Sequence, residues 1–239
     1  MPCARCGRVV AAPENLLACP PMYGNPEFDL YEAIYTTRSM RRLKPDPVPP
    51  ALIVKVIEAG TMGPSGGNRQ PWKFVVVRDA DTKAFVAERY LRAWKMYFTG
   101  KARALAENDP QSPQGRILRS ANYLAEHIAE VPVMIFCCVK RYTDAGRVGQ
   151  PMVNAIFPAI QNLCLAARGY GLGTSITGLH TRFGNEVNAR LAVPAEYANV
   201  ALIPLGYPKG KWDRPARKAA LEVTFWDKWG EACSSIPPR

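Results

Sequence analysis

The sequence is poor in histidine and lacks two common motifs of phosphate-binding and zinc sites. Its 239 residues include two histidines, His127 and His180. It contains no Walker A loop and no H-E-x-x-H pair, so P-loop phosphate binding and this class of zinc chemistry lack their usual groups. His127 lies in a helical pattern and is expected to be structural, whereas His180 lies in a predicted loop and is kept as a candidate for contact with a site.

Long apolar runs are also missing. The longest, residues 131–139, is far shorter than the roughly 20 residues that cross a bilayer, so we expect no transmembrane helix. The segment LLAC at residues 16–19 resembles the lipid-attachment box of bacterial lipoproteins. However, Pro13, Glu14 and Asn15 interrupt the apolar stretch that a signal peptide requires. We therefore expect a cytoplasmic protein.

Cysteine occurs seven times, but not in the pattern of a metal site. Cys3 and Cys6 form one C-x-x-C pair with Cys19 nearby, whereas a structural zinc site needs four ligands. The other four lie in or near apolar segments and are expected to be reduced thiols: Cys137, Cys138, Cys164 and Cys233. We expect no metal.

Acidic residues are too few to balance the basic ones. There are 31 Lys and Arg against 20 Asp and Glu, a formal net charge of +11, which attracts nucleic acids, membrane surfaces or phosphorylated small molecules. The basic residues crowd two short segments, which can converge on one phosphate: Arg38, Arg41, Arg42 and Lys44, and then Lys209, Lys211, Arg214, Arg217 and Lys218. A nucleic-acid-binding module is the alternative, although no RNP, helix-turn-helix or zinc pattern is present.

Residues 1–27 have no sustained periodicity and are predicted to be a flexible leader before one domain, 28–239. A helix is predicted from Asp29 toward Arg38, and a second from Pro49 and Pro50 to Gly60 and Gly63. The other predicted helices are a long one from Asp79 or Asp81 to about Gly100, then Ile117–Ala129, Met152–Arg168 and Asn185–Leu191. The predicted strands are Trp72–Val77, Val133–Val139, Val200–Leu205 and a β-rich stretch, Val223–Trp226.

Paired helices between single strands predict an α+β fold with a mixed central sheet. The helix Met152–Arg168 is apolar on nearly every side, which predicts complete burial, partly at a subunit interface. Gly169, Gly171 and Gly173 follow this helix with the spacing G-x-G-x-G. They do not match the Rossmann G-x-G-x-x-G, which follows a strand, and Gly169 is better explained as a helix C-cap.

The basic segment that begins at Arg38 is the most informative part of the sequence. Arginine forks and a serine hydroxyl suit a phosphate or a flavin carbonyl, although a solvated basic face has the same composition. Residues 38–49 resemble the R-S-x-R-x-[FL]-x-x-x-P-V-P signature of the nitroreductase family. Residues 64–72 resemble its A-P-S-x-x-N-x-Q-P-W loop, residues 160–174 its central helix and following turn, and 206–208 its G-Y-P segment.

These blocks cover about Asp29 to Gly230 in the family's order, and the chain is identified as a member, most similar to actinobacterial and particularly mycobacterial ones. It departs from the family pattern at two positions. Thr37 stands where many members have an arginine, and Gly63 where alanine is usual. The first departure shifts the expected phosphate contact to Arg38 or to the C-terminal cluster.

The resemblance implies a homodimer with FMN at the interface. One subunit would hold the phosphate and the pyrimidine edge with Arg38, Ser39, Arg41 and Arg42, completed by Arg217 and Lys218, with Arg214 as a weaker candidate. The other subunit would supply Pro64, Ser65, Gly66, Asn68 and Gln70. A backbone N–H in the turn Ser175, Ile176, Thr177 and Gly178 would face flavin N5, and Arg41 or Arg42 would stabilise the reduced flavin.

The implied reaction is ping-pong hydride transfer from NADPH or NADH, through the flavin, to a nitroaromatic or a quinone, with no catalytic side chain. Reductive dehalogenation, enoate reduction and flavin degradation are same-fold alternatives. The sequence does not separate NADPH from NADH. Four aromatic residues are candidates for lining the acceptor pocket, with core packing as the alternative: Trp94, Tyr97, Phe98 and Tyr123.

Overall fold

The computed structural model describes residues 28–144 and 147–231. The predicted leader, Cys3, Cys6, Cys19 and Cys233 lie outside these residues. Within them, no helix is long and apolar enough to cross a membrane.

Two short N-terminal helices begin where the sequence predicts them. Helix α1 (Leu30–Thr36) is capped by Asp29, whose carboxylate accepts a hydrogen bond from the backbone N–H of Glu32 at 2.7 Å. Helix α2 (Pro50–Thr61) has proline at its first position, where no N–H is needed. Because α1 ends at Thr36, the basic residues from Arg38 onward lie outside any helix.

The sheet has strands β1 (Trp72–Val77), β2 (Val133–Asp144), β3 (Arg147–Pro151), β4 (Gly173–Thr174) and β5 (Tyr197–Gly206). Its order is β1-β2-β5-β4, with β3 paired to β2, and every ladder between these strands is antiparallel. A parallel pairing occurs at an isolated bridge between Ser39 and Thr174. The predicted α+β fold is confirmed.

The remaining helices are α3 (Ala80–Tyr97), α4 (Gly100–Asn108), α5 (Pro113–His127), α6 (Val153–Gly169) and α7 (Gly184–Arg190). Asp79 is the residue that caps α3, because its carboxylate accepts from Thr82 N–H at 2.7 Å. Strand β2 is buried on both faces: Ile135 packs toward α2 and α6, and Phe136 toward α3 and α5. The described chain therefore has three layers, with the sheet in the middle.

Three sequence expectations are wrong. Helix α4 lies between the predicted helix that ends at about Gly100 and the one that begins at Ile117, where we predicted no helix. Strand β2 continues past Val139 to Asp144, where it pairs with β3. The predicted β-rich stretch Val223–Trp226 is instead preceded by a 3-10 helix, Ala220–Val223, and forms no ladder with the described strands.

Helix α6 is buried on one side only within this chain. Its Ile156, Ile160 and Leu163 are fully buried, but Val153 is 37% exposed and Phe157 44% exposed. A single chain therefore does not bury the helix completely, because an apolar stripe on one side of it faces outward. The subunit interface that we expected at this helix remains a prediction.

The buried side of α6 lies very close to the end of α2. A Cβ atom at Gly63 would lie 2.7 Å from the backbone nitrogen of Ala159, and one at Gly60 would lie 3.1 Å from the Ala159 carbonyl oxygen. Ordinary van der Waals contact begins at about 3.5 Å. The two glycines therefore allow the backbones of α2 and α6 to approach.

Candidate functional site

Backbone hydrogen bonds fix the basic segment that follows α1 against the sheet. Met40 N–H donates to the Thr174 carbonyl at 2.8 Å, and Lys209 N–H donates to the Arg42 carbonyl at 2.9 Å. Met40 and Leu43 are buried, so they anchor the segment between β4 and the residues after β5. Gly173 permits this contact, since a Cβ there would lie 2.8 Å from the Met40 Cβ.

Arg41 lines a cleft of about 210 Å³ beside this anchored segment. The other lining residues come from α3, α5 and the turn after β4: Tyr90, Trp94, Tyr97, Ala121, Ser175, Ile176, Thr177 and Leu179. Burial lowers the pKa of Arg41, an effect that Tyr90 opposes and that the nearby Arg38 charge reinforces. Among the described residues, no carboxylate forms an ion pair with Arg41. A partly desolvated cation without a counter-ion favours an anionic ligand in this cleft.

Three residues of the predicted flavin-facing turn, Ser175, Ile176 and Thr177, line this cleft, but one backbone donor of the turn is already used. Thr177 N–H donates to the Leu202 carbonyl at 3.1 Å, and Leu202 N–H donates back to the Thr177 carbonyl at 2.8 Å. The Thr177 backbone therefore cannot also donate to a flavin. Ser175, Ile176 and Gly178 keep that predicted role.

Tyr90 was missed by the sequence reasoning. Its hydroxyl oxygen lies 2.9 Å from the Thr177 hydroxyl oxygen, and burial raises its pKa, so the phenol keeps its proton. Tyr90 precedes Trp94 and Tyr97 by four and seven residues on α3. This spacing places all three on one helix face, which is the signal that could have identified it.

Arg42 points away from Arg41. Its guanidinium lies 4.9 Å from the centre of the Tyr123 ring, and Lys209 Nζ donates to the Tyr123 hydroxyl at 2.9 Å. Arg42 lines a separate cleft of about 550 Å³ with Phe98, Arg119 and Tyr123. Of the four predicted pocket aromatics, Trp94 and Tyr97 therefore line the Arg41 cleft, while Phe98 and Tyr123 line its neighbour.

The predicted flavin-binding loop is ordered by its own hydrogen bonds. The Ser65 hydroxyl accepts from Gln70 N–H at 3.0 Å, and the Gln70 side-chain amide donates to Asn68 Oδ1 at 3.1 Å. Pro64, Ser65 and Gly66 line a cleft of about 710 Å³ that shares no lining residue with the Arg41 cleft. Within one chain, the two predicted halves of the site are separate.

The C-terminal basic cluster approaches the first one at Lys209. Arg214 lies 5.1 Å from the centre of the Tyr35 ring on α1, and Arg217 Nη1 donates to the Ala216 carbonyl at 2.9 Å. Lys218 is exposed. The convergence of Arg214, Arg217 and Lys218 on a phosphate therefore remains a prediction.

Arg168, at the end of α6, connects α1 with the segment after β5. Its Nε donates to the Thr36 hydroxyl at 2.9 Å, and its Nη2 lies 3.5 Å from Glu32 Oε1. The guanidinium also lies between two rings, 4.5 Å from the centre of Phe28 and 4.3 Å from that of Trp212. Arg168 thereby joins α1, which leads into the Arg38 segment, to the residues that follow β5.

The histidines are structural. His180 is fully buried, with Nε2 2.9 Å from Asn199 Oδ1, and burial lowers its pKa to about 4. It does not line the Arg41 cleft. His127 Nδ1 lies 2.7 Å from Glu130 Oε1, and its ring stacks on Tyr123.

Three cysteines behave as expected from the sequence. Cys137, Cys138 and Cys164 are buried free thiols. Burial raises the pKa of Cys138 and of Cys164 to about 11, so both thiols are protonated and unreactive near neutral pH.

Comparison with known proteins places this arrangement in a family. The sequence model of the Nitroreductase family matches residues 34–207, which include the Arg38 segment, the loop at Ser65 and the turn at Thr177. The chain belongs to the nitroreductase family. This nitroreductase-family chain is 29% identical over 178 residues to 5,6-dimethylbenzimidazole synthase of Rhodospirillum rubrum, a match that covers 72% of the chain and 78% of the synthase.

Solved structures share its fold. Oxidised iodotyrosine deiodinase bound to FMN and 3-iodo-L-tyrosine superposes with a TM-score of 0.67 at 19% identity, over 84% of this chain and 100% of the deiodinase chain. A nitroreductase with bound FMN from Desulfitobacterium hafniense gives a TM-score of 0.60 at 21% identity, over 82% and 96% of the two chains. Members with this fold therefore include proteins that bind FMN.

Proposed function

We propose that this nitroreductase-family chain is an FMN-dependent oxidoreductase and that Arg41 binds the pyrimidine edge of the flavin. The observation that carries the proposal is the partly desolvated Arg41 guanidinium, without a carboxylate partner among the described residues, beside the turn Ser175–Gly178. Bound FMN supplies hydride acceptance and donation at N5. A guanidinium stabilises the negative charge of reduced flavin near N1 and the C2 carbonyl.

The other residues at the cleft would bind and orient the FMN and the aromatic ligand. Arg38 and Ser39, both exposed beside Arg41, are assigned to the phosphate side. The backbone N–H groups of Ser175, Ile176 and Gly178 are assigned to the flavin edge. Trp94 and Tyr97 supply flat walls that exclude water from an aromatic ligand.

A homodimer would complete the site. The loop cleft at Ser65 and the Arg41 cleft are separate within one chain, so we propose that each Arg41 cleft meets the loop of a second copy. The exposed apolar stripe of α6 at Val153 and Phe157 would form part of that contact. The C-terminal segment also exposes large apolar side chains, including Trp229 at 92%, which a second copy can cover.

We propose that the electron donor is NADPH or NADH and that the acceptor is a flat, electron-poor molecule such as a nitroaromatic or a quinone. The aromatic walls at Trp94 and Tyr97 support a flat acceptor. Reductive dehalogenation or flavin degradation is a second candidate, because the chain resembles a deiodinase in fold and a dimethylbenzimidazole synthase in sequence.

Anaerobic titration tests this proposal. The purified protein, reconstituted with FMN, is titrated with NADPH and in parallel with NADH while the visible absorbance of oxidised flavin is followed. Bleaching by either nucleotide, reversed by a nitroaromatic or a quinone but not by a halophenol, supports the nitro or quinone reductase. Recovery only with the halophenol supports the second candidate. A protein that takes up no flavin overturns both.

A further inference from the structure

The Arg41 cleft continues outward into a second, larger groove. This outer groove, about 570 Å³, shares Tyr97 and Leu179 with the inner cleft, whose own volume is about 210 Å³. Small-molecule sites usually occupy about 300–1,000 Å³. The inner cleft alone is smaller than such a site, so a ligand that enters it extends into the outer groove.

The walls of the outer groove are mostly apolar. Met96 and Tyr97, at the end of α3, are 58% and 59% exposed, which is high for large apolar side chains on one helix turn. Thr181 also lines the groove, but its hydroxyl donates to the Gly178 carbonyl at 2.7 Å. The charged side chain of the groove is Arg182.

Arg182 differs from the arginines around it. Arg89 Nε lies 2.8 Å from Glu186 Oε2, and its guanidinium covers the Phe85 ring at 3.4 Å. Arg92 lies over the Phe183 ring at 4.6 Å. In the described part of the chain, no carboxylate or aromatic ring pairs with Arg182. Its fork of donors is therefore available to a ligand.

We propose that Arg182 is a specificity residue that binds the anionic oxygen group of a ligand whose flat ring lies against the flavin at the inner cleft. The inference rests on the proposed function, since it takes the inner cleft as the redox site. Two sources share this chemistry: the phosphates of a nicotinamide nucleotide and the carboxylate of an aromatic acceptor. In either ligand, the ring would lie at the inner cleft, an apolar or short linker would run along Met96 and Tyr97, and the anionic group would reach Arg182.

Two matched ligand pairs separate the sources. For the donor, NADH is compared with reduced benzylnicotinamide, which has the same reactive ring and no phosphate. For the acceptor, para-nitrobenzoate is compared with para-nitrotoluene, which lacks the carboxylate. Dissociation constants of the two nitro compounds are measured on the oxidised FMN-loaded protein from the change in flavin absorbance, and KM and kcat are measured for both pairs.

The variants are Arg182→Ala and Arg182→Lys, with Arg190→Ala as the control because it removes the same charge from α7, outside the groove. Arg182→Ala should weaken at least one anionic ligand about tenfold, the range of a lost charge-assisted hydrogen bond. Its neutral counterpart should change less than twofold, and lysine should restore part of the loss. The ligand pair whose anionic member is weakened identifies whether Arg182 binds the nucleotide phosphates or the acceptor carboxylate.

Two results would overturn the inference. One is equal weakening of the charged and the neutral ligand of both pairs. The other is an equal effect of Arg190→Ala, which would indicate long-range charge rather than contact. In either case normal flavin uptake and bleaching would leave the proposed function intact, whereas loss of flavin uptake in the unaltered protein would remove both.

Discussion

The Tyr90 hydroxyl lies 2.9 Å from the Thr177 hydroxyl, and this contact joins α3 to the turn beside Arg41. Thr177 is held by three hydrogen bonds in all, since its backbone also pairs with Leu202 in both directions. The turn is thus fixed from the sheet and from the helix layer. A site that binds a rigid ring benefits from such rigidity, because less ordering is needed upon binding.

Replacing Tyr90 with phenylalanine should destabilise the protein by about 1 kcal/mol, the usual net value of a hydrogen bond. The Thr177 hydroxyl would lose its partner while the packing of the ring is kept. Urea unfolding at neutral pH measures the effect. Tyr31→Phe, at an exposed position on α1, is the control. Equal losses in the two variants would contradict the role given to the contact.

Arg41→Ala should weaken FMN binding by about tenfold or more, because a charge-assisted contact in a partly buried cleft is lost. Arg42→Ala should have a much smaller effect, since Arg42 lies over Tyr123 in the neighbouring cleft. Quenching of FMN fluorescence during titration gives both dissociation constants. A larger effect of Arg42→Ala would indicate that the flavin binds in the Arg42 cleft instead.

Stability should fall on acidification because of His180. Its pKa in the folded chain is about 4, below the ordinary value of 6.5, because the buried ring is penalised when charged. Unfolded chains therefore take up a proton between these values and folded chains do not. The free energy of unfolding should drop by about 2 kcal/mol between about pH 7 and about pH 5 from this group alone.

The His180→Gln variant separates this contribution from that of other groups. Glutamine does not titrate, and its amide N–H can replace Nε2 as the donor to Asn199. The variant should therefore lose less stability over the same pH interval, as urea unfolding at each pH would measure. Identical slopes for the two proteins would show that His180 is not responsible.

Arg168→Ala should lower the free energy of unfolding by about 2 kcal/mol, because Thr36, Phe28 and Trp212 lose a shared partner in a buried position. Arg103→Ala, which removes an exposed i,i+4 pair with Glu107 at 3.9 Å, should change it by less than about 0.5 kcal/mol. Thermal and urea unfolding compare the two. A small effect of Arg168→Ala would mean that other contacts hold α1 and the residues after β5 in place.

Phe157→Asp tests the proposed dimer. The side chain is 44% exposed in a single chain, so a charge there should leave the fold intact and penalise burial against a second copy. Light scattering after size-exclusion chromatography should then show a monomer with weakened FMN binding. Ile117→Asp, an exposed position on α5, serves as the control. An unaltered protein that is itself monomeric would refute the dimer directly.

Several parts of the fold could be predicted because their signals are local. Prolines at 49 and 50 and the cap at Asp29 mark the starts of α2 and α1, and β1 has the predicted bounds, Trp72–Val77. Helix α4 could not be found by apolar periodicity, because Ala106 is its one buried residue. The end of β2 was missed because polar residues such as Lys140 replace the apolar pattern where the strand pairs with β3.

The site was predicted in its parts but not in its arrangement. Arg41 and the turn at Thr177 meet because Met40 pairs with β4, a contact between residues that are far apart in sequence. Adjacent side chains on an extended segment point to opposite sides. The sequence does not show which side faces the cleft, so it could not assign the cleft to Arg41 rather than Arg42. The role of Arg168 could not be predicted either, because its partners Thr36 and Trp212 lie far from it in the sequence.

The close approach of α2 and α6 makes positions 63 and 159 interdependent. Alanine, the usual family residue at 63, would place its methyl group 2.7 Å from the Ala159 backbone nitrogen, so this substitution alone should be unfavourable here. A larger residue at position 63 would therefore be accepted here only together with an adjustment of α6 at Ala159.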